Sequence, residues 1–510
     1  MSLFRNTLIV TILNILGLFL TFFVSVIITG KFGASYYMDC YNASITIPNY
    51  ISVVLGGALS YTFIPFIAKN NNNTTTSNQW ALVNNIISIF IVSIGFITIL
   101  GIWFAPEIMK TIAPGFKENQ VKYSSELLTL YFPIILFSCL NELVASIFYS
   151  KNIFLTPLLN KFISPIITIT FIFSFSSSSN VKSLIYASLV SAIIQLIFLL
   201  IILIKKENFL FKFRINLKDL DVIELLKLMI PLILSSLVCK FFPIIDSIIL
   251  SKLPIGNISR INYANKLQLV IGSILNSIFS IQVFSLLSNY AANKEYDKIK
   301  NKISFFIRTM LFISIPIAIL FLFFGENFIR LLLERENFKT SDTILVSEYF
   351  RIYILALPAI SIGAIVSQGL YVIPDSKSVM LIGFFETALY LLICILIFKI
   401  FEAHTLPIAY VINFNLSVLV LIYILRKRLN LGGGIGILKS CLKIITLSIT
   451  VGLSVLIIVK FTNPSDMMIL FYCGFAIISY TIIAKILKYQ EVTIIYEKIS
   501  EFTNKTKKLY

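Results

Sequence analysis

The run NTLIVTILNILGLFLTFFVSVIITG, Asn6 to Gly30, carries no charged residue, and its length decides the class of fold. A helix needs about 20 mostly apolar residues to cross roughly 30 Å of hydrocarbon. This run is also longer than the apolar core of a signal peptide, about 7–15 residues, and no small-residue cleavage site follows it. It therefore reads as a retained first span, at about 7–29. Similar runs recur along all 510 residues. They lie near 40–66, 81–105, 127–149, 155–176 and 183–204, then 229–250, 262–286, 304–325, 345–369, 379–398 and 406–425, and last 438–459 and 467–484. Composition agrees, with 58% hydrophobic residues, 13% charged and a mean hydropathy of +0.92, against roughly 45–50% and 25% in soluble domains. A soluble enzyme, a disordered chain and a nucleic-acid binder are excluded. The expected fold is an all-α polytopic membrane protein of about 14 transmembrane helices.

The net charge of +18 belongs to topology. With both termini in the cytoplasm, most Lys and Arg fall on cytoplasmic segments, as the positive-inside rule requires. Lys205, Lys206, Lys212, Arg214, Lys218 and Lys227, the loop 287–303, Arg426-Lys427-Arg428 and the lysine-rich tail carry the bias, with some attraction to anionic lipid heads. The six cysteines are scattered singly through apolar stretches, so neither a disulfide framework nor a zinc site is indicated. Asn70 to Thr76 (NNNNTTT) reads as a plain polar connector.

An internal repeat sets the architecture. Ser25 and Ser247, Tyr41 and Tyr263, Phe116 and Phe338, Tyr131 and Tyr353, and Tyr149 and Tyr371 all recur at one offset of 222 residues. Six helices per repeat give two halves with the same membrane orientation. The expectation is two pseudo-symmetric six-helix lobes around a central cavity plus two C-terminal helices. Residues 1–204 form the N-terminal lobe, 205–228 a cytoplasmic linker, 229–428 the C-terminal lobe, 437–484 helices 13 and 14, and 485–510 a cytoplasmic tail.

A charge inside the bilayer costs at least about 2.5–3.5 kcal/mol, so each one needs a reason. Lys439 and Lys443 can snorkel, as can Arg308 near the start of its span. Glu348 and Arg351 are spaced to pair on one helix face. Lys240 and Asp246 share span 7 with Pro243 between them, and Lys161 and Lys266 project amines from spans 5 and 8. Glu142 and Glu386 are candidates for ion coupling or for pairing with those lysines. This lysine-rich set suits an anionic substrate, with phosphate as the obvious class. No nucleotide-binding loop of the G-x-x-x-x-G-K-[ST] kind is present, and His404, the only histidine, is a bystander in a short outside loop. Glu334, Glu336 and Asp342 read as a solvated helix face. Nothing here is catalytic, and no metal site is expected.

Several stretches resemble one family. They are Phe32-Gly33-Ala34 with Asp39, Pro48-Asn49, Phe63-Ile64-Pro65, Ala113-Pro114-Gly115-Phe116, Tyr131-Phe132-Pro133 and Tyr263-Ala264-Asn265-Lys266-Leu267. Arg335-Glu336-Asn337-Phe338 and Gly369-Leu370-Tyr371 with Asp375 add weaker matches. Together they are similar to the MurJ/MviN family of bacterial lipid II flippases. The resemblance implies transport of an undecaprenyl-pyrophosphate-linked saccharide from the inner to the outer leaflet of the cytoplasmic membrane, by alternating access, for peptidoglycan synthesis. It implies a cationic site for the pyrophosphate and a groove at spans 13 and 14 for the lipid tail. Asp39 matches the family's acidic position, and Lys266 one that is arginine in well-known members. Arginines that align with Leu18, Val24 and Ser52 are absent from this chain. The expected substrate-binding set is Lys266, Lys240, Lys161 and Asp39, with Glu142, Asp246 and Glu386 for ion coupling or cavity pairing. Lys240 and Lys266 would neutralise the pyrophosphate. No cofactor is expected, and the membrane potential or a coupling cation are the drives the sequence permits. The expected partners are the lipid-linked saccharide, membrane lipids and cell-wall synthesis proteins. The alternatives are a flippase for a capsule or O-antigen precursor, a drug/cation antiporter, and a glycosyltransferase using the same lipid-linked donor.

Overall fold

The computed structural model describes residues 2–70, 76–175, 180–293, 295–372, 376–429, 434–462 and 464–489. The tail beyond Tyr489 lies outside the described residues, as do Asp375 and most of the NNNNTTT run. The described residues fold into helices: α1 (Ser2–Phe32), α2 (Tyr36–Ser44), α3 (Thr46–Asn70), α4 (Thr76–Trp103), α5 (Ala105–Ile112), α6 (Glu118–Tyr131), α7 (Ile134–Ser150), α8 (Leu155–Asn160), α9 (Ile163–Phe175) and α10 (Lys182–Glu207). Then come α11 (Leu220–Cys239), α12 (Phe242–Leu250), α13 (Asn257–Ala292), α14 (Tyr296–Leu333), α15 (Thr340–Tyr353), α16 (Leu357–Val372), α17 (Ser376–Phe401), α18 (Thr405–Leu429), α19 (Gly434–Thr462) and α20 (Asp466–Ile486). Twelve stretches of described residues are long and apolar enough to span a bilayer. The stretch Met380–Arg428 holds two helices, α17 and α18, divided by a short turn at Glu402–His404. The 36-residue α13 fills the place between Leu220–Leu250 and Tyr296–Leu333. Fourteen segments result, in the expected order.

The repeat is visible in the helix bounds. α6 and α15 start and end 222 residues apart, at the offset that pairs Tyr131 with Tyr353, and α10 and α18 end 222 apart. The turns before α6 and α15 are built alike. Phe116 N donates to Ala113 O and Phe338 N to Arg335 O. Lys117 N then donates to Gln120 Oε1 at 3.0 Å and Lys339 N to Asp342 Oδ2 at 3.2 Å. In each, the side chain of the third helical residue satisfies the backbone N–H that precedes the helix. Asp342 is therefore buried as a cap, which corrects the reading of a solvated helix face.

By internal packing the chain forms two units. The first is Met1–Asn262 with Arg335–Phe338 and Ile397–Ala403, and the second holds Tyr263–Glu334, Lys339–Leu396 and His404–Tyr510. The first boundary lies past the 205–228 connection because α11 and α12 are tied to earlier helices. The Tyr50 hydroxyl donates to Leu237 O, and Gly115 N donates to Ser251 Oγ at 3.1 Å. The core of the first unit runs through Leu59, Phe63, Phe132, Leu143 and Phe148, and that of the second through Met310, Val366, Leu370, Ile444 and Tyr480. Among the described residues five spans are broken, at Ile45, Phe132–Pro133, Lys161–Phe162, Lys240–Phe241 and Ile354–Ala356.

Candidate functional site

Two of the expected cations sit at helix breaks. Pro243 opens α12 and has no N–H to continue α11, so Phe241 N turns back to Val238 O at 3.2 Å. Lys240 caps the C-terminal end of α11 and Lys161 that of α8. A helix C-terminus leaves carbonyls without partners and carries partial negative charge, so a lysine is the charge that fits there. Both side chains are exposed. Lys266 lies nine residues into α13, about 14 Å from its start at 1.5 Å per residue. Its side chain is exposed too, and a lysine at that depth must meet water rather than lipid. None of the three lysines forms an ion pair among the described residues.

The carboxylates divide by environment. Glu142 on α7 is exposed and faces α3, where the Ser60 hydroxyl donates to it at 3.3 Å. Gly56 leaves it room, since a Cβ there would sit 3.2 Å from Glu142 Cγ. Asp246 on α12 and Glu386 on α17 are half-buried and already engaged with neighbouring groups.

Asp39, expected in the substrate-binding set, lies inside the protein. It is 1% exposed, and both carboxylate oxygens are taken. Gly256 N donates to Oδ2 at 2.5 Å, while Ser259 N and Oγ donate to Oδ1 at 2.8 and 2.6 Å. These amide donors belong to the first turn of α13 and its entry, which have no intrahelical acceptors. A carboxylate there also meets the positive end of the helix dipole. Asp39 thus caps a helix more than two hundred residues away. Alongside it, Asn42 Nδ2 donates to Ser259 Oγ at 3.3 Å. Sequence reading missed Gly256 and Ser259; the signal was a glycine–Asn-x-Ser entry into a helix 222 residues after the Ser35 cap of α2.

A second clasp in the same unit joins the 335–338 loop to α1. Asn337 N donates to Gly30 O at 3.0 Å and Asn337 Nδ2 to Lys31 O at 2.6 Å. Gly33 turns the chain at φ +59°, and a Cβ there would lie 2.5 Å from Asn337 O. Gly115, the residue 222 before Asn337, packs against the end of α12, where its N–H donates to Ser251 Oγ and a Cβ on it would lie 2.3 Å from Ser251 O.

In the second unit, the expected Glu348–Arg351 pair does not form. Arg351 Nη2 lies 3.5 Å from Glu326 Oε2, because α14 offers a carboxylate opposite it. Glu326 also binds Arg330 at 2.8 Å, and Arg330 reaches Asp466 on α20 at 3.6 Å. Glu348 Oε2 instead lies 3.5 Å from His404 Nε2, whose ring meets Tyr349 edge-on at 5.1 Å, so the histidine is packed against α15. Glu334 closes the end of α14. Burial raises its pKa, but hydroxyl donors from Thr340 and Thr343 and the nearby Arg330 outweigh this and bring it below the ordinary glutamate value.

The same unit carries an almost wholly apolar groove of about 380 Å³. Ile271 and Leu275 of α13, Phe321 and Phe324 of α14, and Cys473 and Gly474 of α20 line it. A Cβ on Gly474 would meet nothing within 4 Å, so the glycine keeps the wall open. The groove has the size and lining of a ligand site but no polar group that could orient a head group.

Comparison with known proteins fits this combination. A sequence model of the family described as Lipid II flippase MurJ matches residues 28–475. A probable lipid II flippase MurJ of Buchnera aphidicola subsp. Baizongia pistaciae is 28% identical over 417 residues, covering 80% of each chain. The Lipid II flippase MurJ of Burkholderia cenocepacia is 23% identical over 390 residues, 74% of this chain and 75% of that one. A solved structure of Lipid II flippase MurJ in an inward closed conformation superposes with a TM-score of 0.78 at 21% identity, covering 94% of this chain and 99% of that one. A multidrug resistance MATE family transporter in an inward-facing conformation shares the fold at a TM-score of 0.69 and 13% identity, over 81% of this chain and 94% of that one.

Proposed function

The chain belongs to the lipid II flippase MurJ family, and from that membership we propose that it carries lipid II from the inner to the outer leaflet of the bacterial cytoplasmic membrane for peptidoglycan synthesis. It is a transporter and not an enzyme, and its cargo is a lipid-linked saccharide. The family match across residues 28–475 carries this reading. The groove between α13, α14 and α20 supports it, because a polyprenyl tail is a long apolar chain that needs an apolar bed. Capsule-precursor transport and drug antiport are not favoured.

Lys161, Lys240 and Lys266 are the proposed cations for the pyrophosphate, in place of the arginines that Leu18, Val24 and Ser52 do not supply. Val24 is itself buried in packing. A lysine binds phosphate as a compact point charge without the bidentate fork of arginine. Glu142, Asp246 and Glu386 are proposed for ion coupling or for balancing that charge, with the membrane potential or a coupling cation as the drive and no cofactor. Both termini are placed in the cytoplasm, and cell-wall synthesis proteins are proposed as neighbours.

The test is rescue of a bacterial strain whose own lipid II flippase is under conditional control, with expression confirmed on a blot. Growth is the expected result. Failure to grow despite full expression would refute lipid II as cargo. In the rescuing background, replacing Lys240 and Lys266 together with Gln should abolish growth while the protein level holds; undiminished growth would remove those lysines from the proposal.

A further inference from the structure

The connection between α10 and α11 is strapped to the body of the protein. Asn208 turns the chain out of α10 with φ +51°, and residues 208–216 then run without regular structure along α4. Three consecutive side-chain anchors hold this path. Asn84 Nδ2 donates to Leu210 O at 3.0 Å, Arg214 N donates to Ser88 Oγ at 3.1 Å, and Asn85 exchanges two bonds with the backbone of Asn216, at 3.0 and 2.8 Å. Phe209 is buried edge-on against Trp80 at 5.1 Å. Asn84, Asn85 and Ser88 are themselves buried, so a rigid helix face dictates where the strap lies.

What the strap turns outward is unusual. Phe211, Phe213 and Ile215 are 48%, 63% and 47% exposed, and they alternate with the exposed Lys212 and Arg214. All five side chains are accessible, so apolar and basic groups alternate along the strap, and the exposed Leu217 and Lys218 continue the pattern into the turn. An exposed apolar set of this kind marks an interaction surface. The flanking helices identify which surface. The strap leaves the end of the span Lys182–Glu207 and enters the start of the span Leu220–Leu250, so it lies at the boundary between hydrocarbon and water. There, aromatic side chains settle among the head groups, and long basic side chains reach phosphates.

We propose that residues 209–218 form an anchor for anionic membrane lipid, with Phe211, Phe213 and Ile215 inserted at the acyl border and Lys212, Arg214 and Lys218 on lipid phosphates. The full-length protein carrying Phe213→Trp, reconstituted in vesicles, tests this. The probe is phosphatidylglycerol or phosphatidylcholine brominated near the head-group end of its acyl chains, and the parent protein supplies the Trp80 and Trp103 background. The added indole should be quenched by bromine and shielded from aqueous iodide, with quenching at least two-fold stronger for phosphatidylglycerol at equal mole fraction. Changing Lys212, Arg214 and Lys218 to Gln should erase that lipid preference and leave the quenching itself. Phe211→Trp, on the same strap, should behave alike. Quenching of both indoles by iodide and not by bromine would overturn the proposal and place the strap in water or against a soluble partner. A phosphatidylglycerol preference unchanged by the triple Gln substitution, or absent in the parent strap, would overturn the anionic-lipid assignment.

Discussion

Removing the Asp39 carboxylate should loosen the start of α13 by an amount the geometry specifies. Asp39→Ala takes the acceptor from Gly256 N, Ser259 N and Ser259 Oγ at once. Each buried donor left without an acceptor costs about 1–3 kcal/mol, and the loss of an N-cap acceptor costs about 0.5–2 kcal/mol. Bonds sharing one carboxylate do not add in full, so a total of about 3 kcal/mol follows. Asp39→Asn keeps an oxygen for Ser259 and turns an amide toward Gly256 N, setting donor against donor, for about 1.5 kcal/mol. At about 1.4 kcal/mol per factor of ten, hydrogen exchange of the peptide 256–262 should speed up roughly 100-fold in the alanine variant and roughly ten-fold in the asparagine variant. Ser259→Ala, which leaves both backbone donors in place, should change it less than either. Mass-resolved exchange on the full-length protein in detergent reads this directly. Protection in 256–262 that stays within three-fold of the parent in Asp39→Ala would refute the capping role.

The glycines at the two clasps should respond in the opposite direction to a helical one. Gly33→Ala and Gly115→Ala force a Cβ to within 2.5 and 2.3 Å of backbone oxygens and should each lower the melting temperature, whereas Gly57→Ala, with nothing within 4 Å, should hold or raise it through a gain of about 0.5–1 kcal/mol; scanning fluorimetry separates the three. Gly474→Leu projects into open space in the groove, so it should leave thermal stability unchanged and reduce rescue of the flippase-depleted strain. Glu334 has a lowered folded pKa, so its contribution is fully present above the ordinary glutamate value of about 4.3 and is lost as pH falls through the folded pKa. Melting temperature measured across acid pH should therefore fall less steeply in Glu334→Gln than in the parent.

The helices were legible because bilayer physics acts on composition alone. A run such as Asn6–Gly30 has few stable alternatives, and the offset that pairs Tyr131 with Tyr353 carried the repeat, although the helix breaks after both tyrosines lay within spans read as continuous. Lys161, Lys240 and Lys266 stood out in the sequence because a charge in hydrocarbon costs several kcal/mol, and in the structure all three side chains are exposed. What spacing could not show was partnership across the chain. Glu348 and Arg351 satisfy the i,i+3 rule, yet Glu326 on another helix meets Arg351. Asp39 carried its chemistry visibly, but only the fold could bring Gly256 and Ser259 to it. The groove was beyond reach for another reason: its walls are ordinary apolar residues, and Gly474 matters there by the absence of a side chain.

The clasp on α1 also has a temporal side. Lys31 and Asn337 are 306 positions apart, and a ribosome adding about 5–20 residues per second needs roughly 15–60 s to travel between them. Throughout that interval the first helix sits in the membrane with its final carbonyls lacking their partner, and the start of α13 reaches Asp39 sooner than the 335–338 loop reaches α1. Insertion of the first span and its final fastening are thus separate events in the life of the chain. A polypeptide stalled anywhere before Asn337 carries a first helix that is still unlatched, which makes the C-terminal end of α1 the place where a protease could tell an unfinished molecule from a finished one.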